Sequence, residues 1–191
     1  MNKRIAVAVT GASGSIYALR TIQLLKEYGC EVYLVMSEGA IETMKCEVEL
    51  DYARNILSLV DEVFDNRDIG CSLASGSFHL DALLVIPCSI NTIGVLHSSL
   101  ANTLIGRCAV VAQKEKRQIV LVPREMPMPT LALKQMYELS MLGMDVCIAS
   151  PGFYSKPATM NDLIDHVVFK VLNMLKIKND LIPEWNRKFI E

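Results

Sequence analysis

The segment Thr10-Gly11-Ala12-Ser13-Gly14 follows a hydrophobic run and precedes a helical pattern. Backbone N–H groups at such a junction, together with the helix dipole, can hold a phosphate. The glycines give G-x-x-G instead of the dinucleotide pattern G-x-G-x-x-G, and the second hydrophobic run ends in Ser37, where a dinucleotide site usually has Asp or Glu for a ribose. These residues favour a mononucleotide such as FMN over NAD, with hydroxyls and Arg124 as phosphate partners.

A second chemical signal is the pair Arg124-Glu125, which follows another hydrophobic run and lies between Pro123 and Pro127. Two charges are costly to bury unless they pair with each other or bind a ligand. The pair therefore predicts either a structural ion pair or a ligand contact. We favour the ligand contact, because the flanking prolines stiffen the loop and so suit a preorganised site.

Three further basic residues, Arg107, Lys114 and Lys170, fall on predicted helices. Each one alone is most simply a solvated surface charge. If they converge with Arg124 and Tyr154, they form a second anion pocket that suits a phosphate ester. Spacing alone leaves both interpretations open.

All five predicted strands end in small hydroxyls, glycines or charged groups. Ligands of open α/β sheets bind outside the carboxyl ends of the strands. Any one of these segments could be ordinary turn chemistry, but five together predict one shared site. The segments are residues 10–14, Ser37, and residues 88–92, 124–127 and 151–154.

Five short runs rich in Val, Ile and Leu must position these segments. Because the runs are near-continuous, they are typical of strands buried on both faces of a parallel sheet. Helical patterns lie between them, including an apolar stripe from Ile16 to Leu25 that Gly29 ends, and a last helix that begins after Thr159 with a capping-box sequence. This alternation predicts an α/β fold with a doubly wound, mainly parallel sheet. The predicted strands are 4–10, 31–36, 82–87, 118–123 and 145–149, and the other predicted helices are about 38–45, 52–60 and 98–116.

The length of 191 residues fits a single domain over residues 1–191, and no linker or repeat divides it. Residues 65–77 are rich in Gly, Ser and Asp, which predicts a mobile loop over one edge of the site. We expect the tail from about 176 to 191, which contains Trp185, to pack on a neighbouring subunit.

Composition excludes several classes of protein. A hydrophobic content of 51% excludes intrinsic disorder, and a net charge of −2 argues against nucleic-acid binding. No apolar run approaches the roughly 20 residues of a membrane span, and we expect no signal peptide. The six cysteines include no C-x-x-C pair and the three histidines have no metal spacing, so we expect reduced thiols in the cytoplasm and no metal site. A mean hydropathy of +0.30 suggests that other subunits cover some apolar surface.

The strand-end segments described above, together with several other short segments, also occur in one known family. Over essentially its whole length, the chain resembles the UbiX-type flavin prenyltransferases, which were long described as a small subunit of aromatic-acid decarboxylases. The matching segments are residues 10–14 with Tyr17 and Arg20, Val35-Met36-Ser37, residues 44–47, 74–78, 86–89, 114–117, 121–127 and 151–154, and Trp185.

The resemblance implies a Rossmann-like three-layer sandwich that assembles as a homododecamer. It implies that the chain binds reduced FMN and takes dimethylallyl phosphate. The prenyl group would be joined to N5 and C6 of the flavin without a metal. The product, prenylated FMN, would be the cofactor of UbiD-type decarboxylases.

The resemblance also implies roles for individual residues. The FMN contacts would be Gly11, Ala12, Ser13, Ser37, Ser89, Ile90, Asn91, Thr92 and Arg124. The dimethylallyl phosphate contacts would be Arg107, Lys114, Arg124, Tyr154 and Lys170, in part from a neighbouring subunit. Ser13 and Glu47 would form a proton relay, and Glu125 would organise the phosphate end of the site.

Two site positions depart from the family pattern. Many members have Lys at the position of Asn91 and Arg at that of Lys170, which keeps the charge but loses the bidentate guanidinium. Two other functions remain open: an FMN-dependent cysteine decarboxylase, and a non-catalytic FMN-binding subunit of an aromatic-acid decarboxylase. The decarboxylase should need a histidine near the flavin, whereas His79 and His97 lie in other motifs. The consuming pathway, and the choice between a monophosphate and a pyrophosphate donor, also stay open.

Overall fold

Six strands form one sheet in the computed structural model, which describes residues 2–182 of the chain. They are β1 (Arg4–Val9), β2 (Glu31–Met36), β3 (Glu62–Asp65), β4 (Ala82–Cys88), β5 (Gln118–Pro123) and β6 (Asp145–Val146). Their order is β3-β2-β1-β4-β5-β6, and every neighbouring pair is parallel. The direction of winding reverses between β1 and β4, which confirms the doubly wound sheet. A crevice forms where the order reverses, outside the carboxyl ends of these two strands.

Helices cover both faces of the sheet and complete the three layers. Within residues 2–182 they are α1 (Ser15–Glu27), α2 (Glu38–Glu47), α3 (Leu50–Leu57), α4 (Ile90–His97), α5 (Leu104–Lys114), α6 (Thr130–Met141) and α7 (Met160–Met174), with a short 3-10 turn at Ser72–Ala74. Helices α1, α2, α3 and α7 bury residues in one core, and α4, α5 and α6 bury residues in the other.

Alternation along each strand separates the two cores. In β1, Ile5 and Val7 pack in the first core, whereas Ala6 and Ala8 pack in the second. Successive side chains of a strand point to opposite faces of the sheet, so an apolar residue is needed at every position. The near-continuous apolar runs are explained in this way, and the expectation of strands buried on both faces is confirmed.

The sheet differs from the prediction at its two edges. Strand β3 was not predicted, because it has four residues, two of them acidic, and pairs with β2 alone. Strand β6 is Asp145–Val146, shorter than the predicted 145–149. Edge strands need apolar side chains less than central strands do, so their sequence signal is weak.

The helix predicted over 98–116 is present as α5 but begins six residues later, and α4 before it was not predicted. A loop in which Ser99 has a positive φ of 52° separates the two helices. The loop folds back so closely that a Cβ on Gly106 would lie 2.2 Å from the carbonyl oxygen of Leu100. Thr103 caps α5 by accepting the N–H of Gly106. Helix α6, which lies between two predicted strands, was also missed.

Other helix ends agree with the prediction. Gly29 follows α1 with a φ of 76°, and Thr159 forms the predicted capping box with Asp162. Beyond α7, Ile177 is buried in the chain's own first core and Leu181 packs against it. Trp185 and the rest of the predicted docking tail lie outside the described residues.

No helix within residues 2–182 combines the length and the apolar character needed to cross a bilayer.

Candidate functional site

A cavity of about 860 Å³ opens at the carboxyl edge of the sheet, where the strand order reverses. Its volume falls within the range of about 300–1,000 Å³ typical of small-molecule sites. It brings together residues from four of the five strand-end segments predicted to share one site, whereas the segment 151–154 does not line it. Its wall consists of Gly11, Met36, Ser37, Glu38, Gly39, Ile41, Asp65, Asn66, Arg67, Ser89, Ile90, Asn91, Thr92, Val95, Thr103, Ile105 and Glu125.

Two helices begin at this cavity with a serine cap. The Oγ of Ser37 accepts the N–H of Ala40 at 3.1 Å, and the Oγ of Ser89 accepts the N–H of Thr92 at 3.2 Å. First-turn N–H groups have no acceptor within their own helix, so an anion in the cavity meets donors and the positive ends of two helix dipoles. The starts of α2 and α4 therefore suit the phosphate and the polar side chain of a flavin mononucleotide.

The glycine turn allows the backbone to approach α2 closely. A Cβ on Gly11 would lie 3.1 Å from backbone atoms of Gly39, at the limit of ordinary contact. Ala12 is buried, whereas Ser13 is exposed beside the turn. The close approach makes the turn and the start of α2 one wall of the cavity, and the cavity's volume and its two helix starts fit FMN.

Two of the backbone donors at the start of α1, where the sequence suggested a phosphate, already have an acceptor. The carboxylate of Glu47 already accepts the N–H groups of Gly14, at 2.9 Å, and Ser15, at 2.8 Å. A side-chain anion therefore holds the donors that the sequence assigned to a phosphate. The starts of α2 and α4 remain as the anion sites of the cavity.

Glu47 is held as a carboxylate next to Ser13. Burial opposes its ionisation, but hydrogen bonds from the side chain of Ser13 and from the backbone of Ser15 and Gly14 outweigh that effect and lower the pKa of Glu47. An ionised carboxylate bonded to a hydroxyl can accept a proton through that hydroxyl. The lowered pKa of Glu47 is consistent with the relay predicted for Ser13 and Glu47, which stays a prediction.

Arg124 lies over the glycine turn instead of pairing with Glu125. Its Nε donates to the carbonyl oxygen of Ser13 at 2.9 Å, and its backbone N–H donates to the carbonyl oxygen of Cys88 at 3.4 Å. Glu125 is exposed at the cavity wall. The expectation of two buried charges is wrong, because both residues lie beyond β5, where water reaches them.

The residues predicted for the donor phosphate occupy two different layers. Arg107 and Lys114 are on α5, and the Nε of Arg107 donates to the carbonyl oxygen of Ala74 at 3.3 Å. Tyr154 and Lys170 lie on the other side of the sheet, in and beside α7. Lys114 ends α5, seven residues or about 10 Å along the helix from Arg107 and towards the amino edge of the sheet. A single chain therefore does not bring these four residues together.

Only the first part of the predicted loop 65–77, residues 65–67, lines the cavity, and it is anchored. Asn66 accepts the N–H of Leu104 with its carbonyl oxygen at 2.8 Å and that of Ile105 with its Oδ1 at 3.1 Å. Arg67 forms an ion pair with Glu38 at the cavity wall. Sequence analysis missed these residues, although Asn66 and Arg67 follow the carboxyl end of the unpredicted β3 and so occupy the same edge.

Thiol and metal chemistry find little support in the described part of the chain. Burial raises the pKa of the Cys88 thiol well above its usual range, so Cys88 stays a neutral packing residue despite its place beside the cavity. Among residues 2–182, no three His, Cys, Asp or Glu side chains lie close enough to hold a metal ion together.

Comparison with known proteins agrees with this geometry. The family model described as Flavoprotein matches residues 1–172. The flavin prenyltransferase UbiX of Thermoplasma acidophilum is 41% identical over 184 residues, which is 95% of this chain and 99% of that protein.

Two solved structures are also similar. The crystal structure of AnUbiX (PadA1) in complex with FMN and dimethylallyl pyrophosphate has a TM-score of 0.93 and 35% identity, and the match covers 97% of this chain and 98% of that one. The dodecameric FMN-dependent UbiX-like decarboxylase from Escherichia coli O157:H7 has a TM-score of 0.92 and 36% identity, with 96% of this chain and 99% of that one covered. The chain therefore belongs to the flavoprotein family and, within it, to the UbiX-type flavin prenyltransferases.

Proposed function

We propose that this chain joins the dimethylallyl group of dimethylallyl phosphate to reduced FMN and releases prenylated FMN. The observation that carries the proposal is the cavity between the starts of α2 and α4, with the Ser13–Glu47 couple beside its Gly11 wall. The cavity suits a flavin mononucleotide, and the couple supplies the proton acceptor that ring closure on the flavin requires. Membership in the flavin prenyltransferases supports the same reaction.

The cavity residues bind and orient the flavin. Ser37 and Ser89 order the first turns of α2 and α4, whose N–H groups meet the polar end of FMN. Gly11 lets the turn pack closely on the start of α2, and Arg124 covers the glycine turn. When bound, reduced FMN supplies the electron-rich ring that bonds to the allyl carbon.

Ser13 and Glu47 move the proton. Bond formation at a flavin atom that carries hydrogen would displace that hydrogen as a proton. The hydroxyl of Ser13 would take this proton while passing its own proton to Glu47. The carboxylate is prepared for this step because interactions with Ser13, Ser15 and Gly14 lower its pKa and keep it ionised. Glu125, exposed at the cavity wall, organises the phosphate end of the donor.

Basic residues stabilise the leaving phosphate, which departs with the electron pair of the broken C–O bond. Tyr154 and Lys170 of one subunit hold it, and Arg107 and Lys114 of a neighbouring subunit complete the pocket. The two pairs lie in different layers of one chain, so we expect them to meet at an interface between two subunits.

A homododecamer is the assembly we propose, with residues 1–191 as one flavoprotein domain and the end of the chain packed on a neighbour. An apolar stripe on α6 supports burial by other subunits: Leu133, Tyr137 and Met141 are 50%, 64% and 70% exposed, and they recur every four residues. We place the reaction in the cytoplasm and expect a UbiD-type decarboxylase to receive the product.

The two other functions have less support. A cysteine decarboxylase should present a histidine to the flavin, but neither His79 nor His97 lines the cavity. A purely FMN-binding subunit has less support because the similar proteins are named flavin prenyltransferases.

Mass spectrometry of the released flavin tests the proposal. The purified protein is incubated without oxygen with reduced FMN and either dimethylallyl phosphate or dimethylallyl pyrophosphate, and control samples lack the donor. We expect the flavin to gain one prenyl unit with the monophosphate. Unmodified FMN with both donors would overturn the transferase proposal, and product with the pyrophosphate alone would correct the donor.

A further inference from the structure

His166 is a buried imidazole to which the mechanism above gives no role. It lies on α7 with 5% of its surface exposed. Its Nδ1 accepts the backbone N–H of Gly152 at 3.1 Å. A nitrogen that accepts an N–H carries no proton, so neutral His166 has its proton on Nε2. Among the described residues, that Nε2 has no hydrogen-bond partner.

If His166 only filled space in the core, its two polar ring nitrogens would not be needed. A buried N–H without a partner is unfavourable, and a phenyl ring would fill nearly the same space without it. The feature of His166 that an apolar ring lacks is the acceptor at Nδ1. The imidazole is thus suited to hold the backbone at Gly152.

The imidazole fixes two features of the loop after β6 at once. A Cβ on Gly152 would lie 2.9 Å from Nε2 of His166 and 3.3 Å from Cδ1 of Tyr154, so this position admits no larger side chain without displacement. The ring of Tyr154 packs edge-on against the imidazole, with centroids 5.4 Å apart and planes at 75°. His166 therefore orders both the backbone before Tyr154 and the ring of Tyr154 itself.

Lys170 follows His166 by four residues on the same face of α7. Burial and the charge of Lys170 both lower the pKa of His166, which keeps the imidazole neutral and its Nδ1 free to accept. His166 is thus next to both residues of this chain that the proposed function assigns to the donor phosphate.

We propose that His166 is a positioning residue of the donor pocket, which holds the Gly152–Tyr154 segment so that Tyr154 and Lys170 face the phosphate ester together. This inference rests on the proposed function. It adds a residue that acts through Tyr154 and leaves FMN binding alone.

Two substitutions separate positioning from packing. His166→Phe keeps a ring but removes the acceptor, whereas His166→Asn puts an amide oxygen near the position of Nδ1 but leaves a void. Loss of one hydrogen bond corresponds to about a fivefold change in an equilibrium, so we expect His166→Phe to raise the KM for dimethylallyl phosphate about fivefold, with FMN affinity unchanged. His166→Asn should stay closer to the wild type in KM although it unfolds more easily.

The reverse order would overturn the inference: a near-normal KM for His166→Phe and a higher one for His166→Asn indicate packing alone. If His166→Phe does not fold, the KM of His166→Asn for dimethylallyl phosphate tests the inference alone. A KM raised tenfold or more would contradict it, because this variant retains an acceptor for the N–H of Gly152. Calorimetric binding of dimethylallyl phosphate to the FMN-loaded protein gives a second readout, and His79→Phe, at an exposed histidine, is the control. Absence of prenylated flavin with the wild type would instead remove the proposed function.

Discussion

The carboxylate of Glu47 accepts the backbone N–H of Gly14 at 2.9 Å, so the last residue of α2 caps the first turn of α1. A carboxylate at a helix start is stabilised by the helix dipole as well as by its hydrogen bonds. The side chain of Ser13 also helps to lower the pKa of this carboxylate. One side chain thus joins two helices behind the glycine turn and keeps a carboxylate next to that turn.

Glu47→Gln should slow prenylation while leaving FMN bound. The amide keeps an oxygen for the N–H groups of Gly14 and Ser15 but cannot accept a proton, so we expect a loss of about 100-fold in rate, the usual size of a general-base contribution. Ser13→Ala removes the other half of the relay and should act in the same direction. Single-turnover rates and flavin fluorescence titrations measure the two effects separately.

The matched control is Glu42→Gln, which replaces an exposed carboxylate of α2 that pairs with Lys45. It should change neither the rate nor the FMN affinity. Full rates in both Glu47→Gln and Ser13→Ala would show that the couple is structural.

Acid should destabilise the protein in a defined range of pH. Burial raises the pKa of Glu47 and Asp61, but hydrogen bonds from Ser13, Ser15 and Gly14 to Glu47, and from Lys26 and Val32 to Asp61, lower both pKa values overall from 4.5 and 3.8. The unfolded chain then binds protons more readily than the folded chain, so this stabilisation is complete above about pH 5 and is lost as the pH falls through the folded pKa values.

Urea unfolding between pH 7 and pH 3 measures that loss. Glu47→Gln should flatten the acid limb of the stability curve, because its amide does not titrate. An acid limb as steep as that of the wild type would mean that Glu47 does not couple folding to protons.

The serine caps should affect flavin binding as well as stability. Ser37→Ala and Ser89→Ala each remove an N-cap, which costs about 1 kcal/mol of stability, and they should also weaken FMN binding about fivefold because the first turns of α2 and α4 lose their order. Thermal unfolding without flavin and fluorescence titration with FMN measure the two quantities.

Thr159→Ala is the matched control for the caps, since Thr159 caps α7 in the same way but does not line the cavity. It should lose similar stability at unchanged FMN affinity. An equal loss of affinity in all three variants would attribute the effect to general destabilisation.

Sequence patterns predicted the layers well because burial on both faces leaves a strong apolar signal. All five predicted runs, such as 82–87, correspond to strands. In β1 the residues from Ile5 to Ala8 point alternately into the two cores, which explains why every position is apolar. The edge strand Glu62–Asp65 gave no such signal, since its exposed side chains are polar in part. The loop between α4 and α5 depends on the contact of Gly106 with Leu100, a tertiary feature that periodicity does not encode.

The site was predictable to the extent that it consists of strand ends. Ser37, Ser89 and the glycine turn meet at one edge because parallel strands end there together. Glu47 lies 33 residues from Gly14, and only the resemblance to a family indicated it; the spacing instead suggested a phosphate where the carboxylate lies. No pattern in the sequence indicated a role for His166, because its bond to Gly152 depends on how the loop after β6 folds.

Mixed assemblies should test whether the donor pocket spans two subunits. Lys114 is on α5 in one layer and Lys170 is on α7 in the other, so each subunit would contribute a different half of the pocket. Lys114→Ala and Lys170→Ala should each lose prenylation, because a leaving phosphate without its cations is poorly stabilised. When the two variants are co-expressed and assemble at random, about one quarter of the pockets combine two intact halves, and activity should recover to that extent.

The control pairs two variants of the same half, Lys114→Ala with Arg107→Ala, for which no pocket is intact and no activity should return. Recovery in the first mixture but not in the second identifies a pocket shared between neighbours. Lack of recovery in a verified mixed assembly of Lys114→Ala and Lys170→Ala would mean that the two lysines do not serve one phosphate. The donor would then have to be held by Tyr154, Lys170 and Arg124 of a single chain. Arg124 lies over the glycine turn, Lys170 is on α7, and Tyr154 packs against His166 of α7.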